Sequence, residues 1–155
     1  MKKLELKHIT PYLPYELKVN YNGKVWYTDC VTLYNDIILI DESKVTPASI
    51  CDVKPILRPL FSMTKEEAYE FGILLMGEAD MEDKETGIGE MTLMGVAYPT
   101  IVYKDKEDEE YSVTIQFSSI GISGIDLIPY EAYEWLFKNN FDVFGLINRD
   151  LAVIK

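Results

Sequence analysis

Histidine is almost missing from this chain: His8 stands alone among 155 residues, and there are only two cysteines, Cys30 and Cys51. A Ser–His or Cys–His couple would have to be built on that one imidazole near the N-terminus. Two thiols and one imidazole at these spacings make no zinc motif. Phosphate-loop chemistry is missing as well, with no Gly-Lys-Ser/Thr and no G-x-G-x-x-G. The Ser118–Gly124 stretch holds Gly-Ile-Ser-Gly, one residue short of a nucleophile elbow. Apolar runs are short, the longest being Ile37–Ile40 and Phe71–Met76 around Gly72, well below the roughly 20 residues of a membrane span. The opening MKKLELKHIT has lysines with no apolar stretch behind them, so a signal peptide is not expected, and no Asn-x-Ser/Thr acceptor occurs. The expectation is a cytoplasmic, non-enzymatic protein with no catalytic residue, no cofactor, no metal and no membrane contact. The two cysteines are expected to be buried thiols rather than a disulfide.

Positive charge is also scarce, and unevenly so. Residues 1–60 hold eight Lys/Arg against seven Asp/Glu, a net of +1, whereas residues 61–155 hold seven against nineteen, a net of −12. Such a chain does not attract nucleic acid through its phosphates, which requires clustered Lys and Arg. A basic protein surface or a cation suits it better, and plain solubility is the simpler reading. Among the 26 acids no pair is singled out by spacing for acid–base work, because burial sets their pKa values. Eleven tyrosines and two tryptophans are many for this length, and they suit either strand packing or an interface.

What is present is a globular pattern. With 48% hydrophobic and 26% charged residues, the chain fits one domain, 1–155. Its organising stretch is IPYEAYEWLFKNNFDVFGLI, where Tyr133, Leu136, Phe137, Phe141 and Phe144 recur at helical spacing. A helix over 128–140 is predicted, capped by Asp126 with Pro129 in its first turn. Thr64 to Glu67 is a capping box, predicting a second helix over 65–76 that stops at Gly77 in a left-handed cap. Strands are expected on both sides of Asn22-Gly23, a hairpin turn that pairs Val19 with Trp26 and Leu17 with Thr28. Ile37–Asp41 adds a third strand. Pro47, Pro55 and Pro59 argue for an irregular crossover over 45–60 rather than a central strand. In it, Lys54 and Arg58 could grip an anion, although solvation or ion pairing is the plainer role.

A C-terminal hairpin is predicted from Thr92–Tyr103 and Glu110–Phe117, with Pro99 demoting the first strand to an edge or a bulge. A short terminal strand follows at Leu151–Ile154. The fold class is therefore α+β: an antiparallel sheet, made of an N-terminal three-stranded meander plus the C-terminal hairpin, with two helices on one face. The expected core is Leu17, Val19, Trp26, Ile38, Ile40, Phe71, Leu75, Val113, Ile115, Leu136, Phe137, Phe141 and Phe144. Pro11 and Pro14 spell a literal P-x-x-P, yet each precedes a tyrosine, and packing onto the fold is expected over a polyproline ligand.

Two acidic stretches stand out. Glu78–Glu90 has no periodicity and is expected to be a loop; it lacks the glycine and register of a calcium-binding loop. The run from Asp105 to Glu110 carries Asp105, Glu107, Asp108, Glu109 and Glu110. It reads as a solvated hairpin tip that discourages edge pairing, or as an acidic prong offered to a basic protein partner.

Three segments, HITPYLPYELKV (8–19), CDVKPILRPL (Cys51–Leu60) and WLFKNNFDVFGLINRDLAVI (Trp135–Ile154), resemble a family of small uncharacterised proteins encoded by phages and prophages of Bacteroidetes. In that family a KPILRPL phrase precedes a variable middle and an FDVFGLI phrase closes the chain. Arg149-Asp150 departs from it, standing where those proteins often have glycine. The shared residues are apolar and structural, so they imply a common fold and carry over no catalytic residue. The resemblance implies a protein made inside an infected or prophage-bearing bacterium. Its role is then a macromolecule-binding accessory, such as an acidic inhibitor of a host nucleic-acid-binding or defence protein. The alternatives are a phage structural or assembly accessory, with homo-oligomers, or a small-ligand-binding protein.

Overall fold

The computed structural model describes residues 3–32, 36–41, 44–81, 85–93, 96–104, 110–114, 116–118, 121–123 and 129–155. The architecture is α+β, and the chain divides into two compact units. The first comprises Met1–Pro59 with Leu136–Lys155, and the second Leu60–Trp135.

The first unit is built on a six-stranded sheet whose strands run in the order Val153–Ile154 (β11), Lys54–Leu57 (β5), Lys18–Tyr21 (β1), Lys24–Val31 (β2), Asp36–Asp41 (β3) and Lys44–Ser49 (β4). Its meander is the predicted one: β1 (Lys18–Tyr21), β2 (Lys24–Val31) and β3 (Asp36–Asp41), antiparallel throughout. Asn22 and Gly23 both sit at positive φ (52° and 77°), which the two-residue turn demands. Val19 pairs with Trp26, and the Thr28 amide donates to the Leu17 carbonyl at 3.0 Å. Glu16, at φ 54°, lies outside the ladder.

Three corrections follow in this unit. First, Ile37 and Leu39 are fully buried, while Ile38 and Ile40 are half-buried on the opposite face. Four successive apolar residues give no alternation to read; the pairing of Thr28 with Leu39, just before a bulge at Asp29, decides the face. Second, the proline-rich crossover contains two strands, β4 (Lys44–Ser49) and β5 (Lys54–Leu57). β4 is the last strand of the sheet, where Pro47 is tolerated. Interior β5 accepts Pro55 because its ladder to β1 spans only Lys54 and Pro55, and the ladder to β11 (Val153–Ile154) starts beyond it at Ile56. Third, Cys30 and Cys51 are exposed free thiols, because their positions face outward on a strand and in a surface turn. Pro11 and Pro14 lie in a 3-10 helix, Thr10–Tyr15, which follows α1 (Leu6–Ile9). As expected, that segment packs down: Tyr12 is fully buried.

In the second unit, α2 (Lys65–Met76) begins and ends where predicted. Thr64 Oγ1 accepts from the Glu67 amide at 3.2 Å, and Glu67 Oε2 accepts from the Thr64 amide at 2.8 Å. Gly77 stops the helix at φ 96° and ψ 157°, outside the left-handed helical region that had been expected. Ala68 and Phe71 are fully buried and Leu75 half-buried. The supposed loop Glu78–Glu90 is instead α3 (Glu78–Met81) followed by the start of β6 (Glu85–Leu93). β6 pairs with β7 (Val96–Lys104), and β7 with β8 (Glu110–Thr114). The predicted hairpin is thus extended to three strands, in a sheet separate from the meander. β7, which holds Pro99, is the middle strand of this sheet rather than the expected edge; Pro99 sits opposite Glu90, next to Thr100, the last β7 residue paired with β8 among the described residues. β9 (Gln116–Ser118), whose Gln116 and Phe117 fall within the predicted strand over 110–117, pairs with β10 (Gly121–Ser123) in a two-stranded ladder. Val113 lies in β8, while Ile115, Asp126 and Ile128 fall outside the described residues.

Helix α4 spans Tyr130–Lys138, and the division between the units falls within it. It stops short of 140 because Asn140 adopts φ 56°, with Phe141 N–H bonded to the Leu136 carbonyl and Asn140 N–H to that of Phe137. This is a Schellman ending, which asparagine supports. Phe141 and Phe144 therefore continue the buried surface from turns, not from the helix.

Candidate functional site

The ladder of the second unit fixes where its acids lie. Glu85 of β6 pairs with Lys104 of β7, and Lys104 with Glu110 of β8, so these three begin or end their strands at one end of the sheet. Of the predicted contact residues, Glu110 is the first residue of β8; Asp105, Glu107, Asp108 and Glu109 lie outside the described residues. In the sequence they join Lys104 to Glu110, while Glu82 and Asp83 precede Glu85. Thr86 donates through Oγ1 to the Lys65 carbonyl at 3.2 Å, which ties the same end of β6 to the first turn of α2. That turn carries Glu66 and Glu67. The Glu66 carboxyl is held below its ordinary range by the amide at its own position and by Thr64. Acids from three parts of the sequence thus converge, and Lys65 and Lys104 are the basic residues the described strands and helix place among them. The sequence shows both the 105–110 run and the acidic 78–90 stretch that contains Glu85; what it does not show is that Glu85 begins a strand paired with Lys104.

The first unit holds its polar groups inside. Tyr12 Oη donates to the Phe141 carbonyl at 2.7 Å and accepts from the Val143 amide at 3.1 Å. Burial pushes this phenol well above its ordinary value. The buried Asp142 carboxylate accepts from the amides of Leu146 at 2.7 Å and Ile147 at 2.8 Å. Burial raises its pKa in spite of those bonds and the charge of Arg149. His8 is buried against Phe144, ring centroids 5.6 Å apart, and its Nδ1 accepts from the Glu5 amide at 3.1 Å. Desolvation, helped by Arg149, lowers its pKa. The lone imidazole accepts at Nδ1 to close a capping box, and among the described residues no serine or cysteine is bonded to it. These are structural roles.

Lys54 and Arg58 do not converge on an anion. Lys54 Nζ lies 2.6 Å from Asp150 Oδ1, and the Arg58 guanidinium stacks 4.3 Å over the Phe141 ring. Among the described residues no group of three or more His, Cys, Asp or Glu is placed to hold a metal, and no helix is long and apolar enough to cross a membrane. An open depression of about 570 Å³ is lined by Lys3–Lys7 and Ser49–Cys51, a surface hollow rather than an enclosed ligand cavity. No family model, curated protein or solved structure matches this chain.

Proposed function

We propose that this chain is a non-enzymatic binding protein whose acidic sheet end engages a basic surface on a protein partner. The observation that carries this reading is the register Glu85–Lys104–Glu110, which gathers acids from separate stretches at one end of one sheet. Carboxylates that stay solvated at strand and helix ends act over a Debye length of about 8–10 Å, so they steer a cationic partner before any of them is desolvated. An inhibitor of a nucleic-acid-binding or defence protein, with carboxylates standing where that partner meets phosphates, fits this chemistry. The resemblance to phage and prophage proteins supports such a role in the cytoplasm of a bacterial host.

The test is affinity capture from bacterial host lysate, comparing the wild-type chain with one in which Asp105, Glu107, Asp108, Glu109 and Glu110 are replaced by Ser. The expected outcome is a basic protein, or a protein bound to RNA, that the wild type retains and the variant loses, with retention falling steeply as salt rises. Equal capture by both would mean that the run only solubilises the hairpin. A second reading, an assembly accessory, is favoured by the exposed face of the first unit's sheet.

A further inference from the structure

The outward face of the six-stranded sheet carries an apolar patch that nothing described so far uses. Register places Tyr27, Ile40 and Val45 in one row across β2, β3 and β4. Ile38 and Pro47 form the next row with Cys30 of β2, and Val25 stands on the other side of the Tyr27 row, opposite Asn20 of β1. Val25, Tyr27 and Val45 are 54%, 46% and 65% exposed, in contrast to the fully buried Ile37 and Leu39 on the inner face. An antiparallel sheet ordinarily shows polar residues to water on its outer face, and a contiguous apolar patch marks an interaction surface.

We infer that this face binds a second copy of the chain, in an isologous, face-to-face dimer centred on Tyr27. Charge selects this occupant. Two charged side chains flank Tyr27 on the outer face: Lys18, opposite it on β1 with Nζ 5.0 Å from the ring centroid, and exposed Asp29, two residues further along β2. Strand spacing puts them about 5 Å and about 7 Å from Tyr27 in perpendicular directions. A two-fold axis along the diagonal at Tyr27 exchanges the two positions, so each Lys18 meets Asp29 of the second copy. The two sheets then cross near 90°, an established sheet-packing class.

The face also carries Asp36, one row beyond Ile38, and Lys54, which is paired with Asp150; with both signs interspersed around Tyr27 it suits neither a polyanion nor a polycation, whereas a second copy offers the matching pattern. The unit that bears it holds eleven Lys/Arg and nine Asp/Glu, a net of +2, so apposing two such faces meets little repulsion. The alternative of edge pairing through β4 is opposed by Lys44 and Pro47 on that strand. Four to five strands by about six residues cover roughly 400 Å² per copy, at the weak end of specific interfaces. The dimer is accordingly concentration-dependent.

Sedimentation velocity of the full chain over a range of concentrations tests this. The wild type should pass from 17.8 kDa to twice that mass as concentration rises. Val45→Asp, on an edge strand where it should not disturb folding, should raise the dimer Kd about tenfold or more. Lys18→Asp and Asp29→Lys should each weaken the dimer by about fivefold, and the two together should restore it to within about twofold. Circular dichroism verifies that each variant is folded. A chain that stays monomeric at the highest concentration reached overturns the inference. So does a dimer indifferent to Val45→Asp, or a double reversal that fails to restore association. None of these readouts depends on the acidic end of the other sheet.

Discussion

The two units solve opposite problems with the same alphabet. The first, with a net charge of +2, hides a tyrosine hydroxyl, an aspartate and a histidine in its interior and gives each a backbone partner. The second holds four Lys/Arg and seventeen Asp/Glu, a net of −13, and gathers several of those acids at one sheet end. A buried polar group fixes one geometry, because misplacing it forfeits a hydrogen bond that water cannot replace. A surface acid fixes no geometry; it sets a field that partners and salt both feel. The first unit should therefore respond to point mutations in its core and the second to ionic conditions.

The largest expected effect is at Phe141, fully buried beneath the Arg58 guanidinium. Phe141→Ala should cost about 3–5 kcal/mol in denaturant unfolding, the range for deleting a buried aromatic ring. A loss below about 1 kcal/mol would contradict its place in the core. Next comes Tyr12→Phe, which strips the Phe141 carbonyl of a donor and the Val143 amide of an acceptor while keeping the ring. It should cost about 1–3 kcal/mol. A near-neutral result would show that backbone packing alone holds the 141–143 turn.

Titration sharpens the contrast within the first unit. His8 has a folded pKa below its ordinary 6.5, so its stabilisation is present above pH 6.5 and is lost as pH falls through the lowered value. Asp142 has a folded pKa above its ordinary 3.8, so its contribution is present below that value and is lost as pH rises through the raised one. Stability measured from pH 7 downward should first decline, and His8→Gln should flatten that decline while leaving the Asp142 part of the profile in place. An unchanged slope in the variant would assign the decline to other groups. The smallest effect concerns the second unit. Raising NaCl should increase amide-exchange protection in 60–135 by less than about 1 kcal/mol, and protection in the first unit should hardly change. The five-serine variant should lose most of that salt response.

Legibility in the sequence followed the range of the forces. The capping box at Thr64–Glu67, the Gly77 stop and the Asn22-Gly23 turn were readable because each is closed by atoms within a few residues. Asn139-Asn140 carried a helix-stop signal of the same kind, outweighed by the apolar spacing that ran on to Phe144. The β3 face was unreadable, since its four apolar residues fit either parity until Thr28 pairs with Leu39. β6 was hidden because Glu85–Glu90 shows no alternation, and it is a strand by virtue of its nine-residue ladder with β7.

The amino-acid sequence by itself determined the α+β class, the boundaries of α2, the Asn22-Gly23 turn and the acidity of the 105–110 run, all properties of local bonding or plain composition. The tertiary structure alone decided that Glu85 shares a sheet end with Glu110 and that Lys18, Tyr27, Ile40 and Val45 stand in one row. It also decided that Tyr12 bonds to residues 129 and 131 positions away. Each of these rests on a pairing between distant segments. Such pairings form because burying one continuous apolar surface outweighs the entropy of closing long loops, and no local pattern records which partner satisfies that balance.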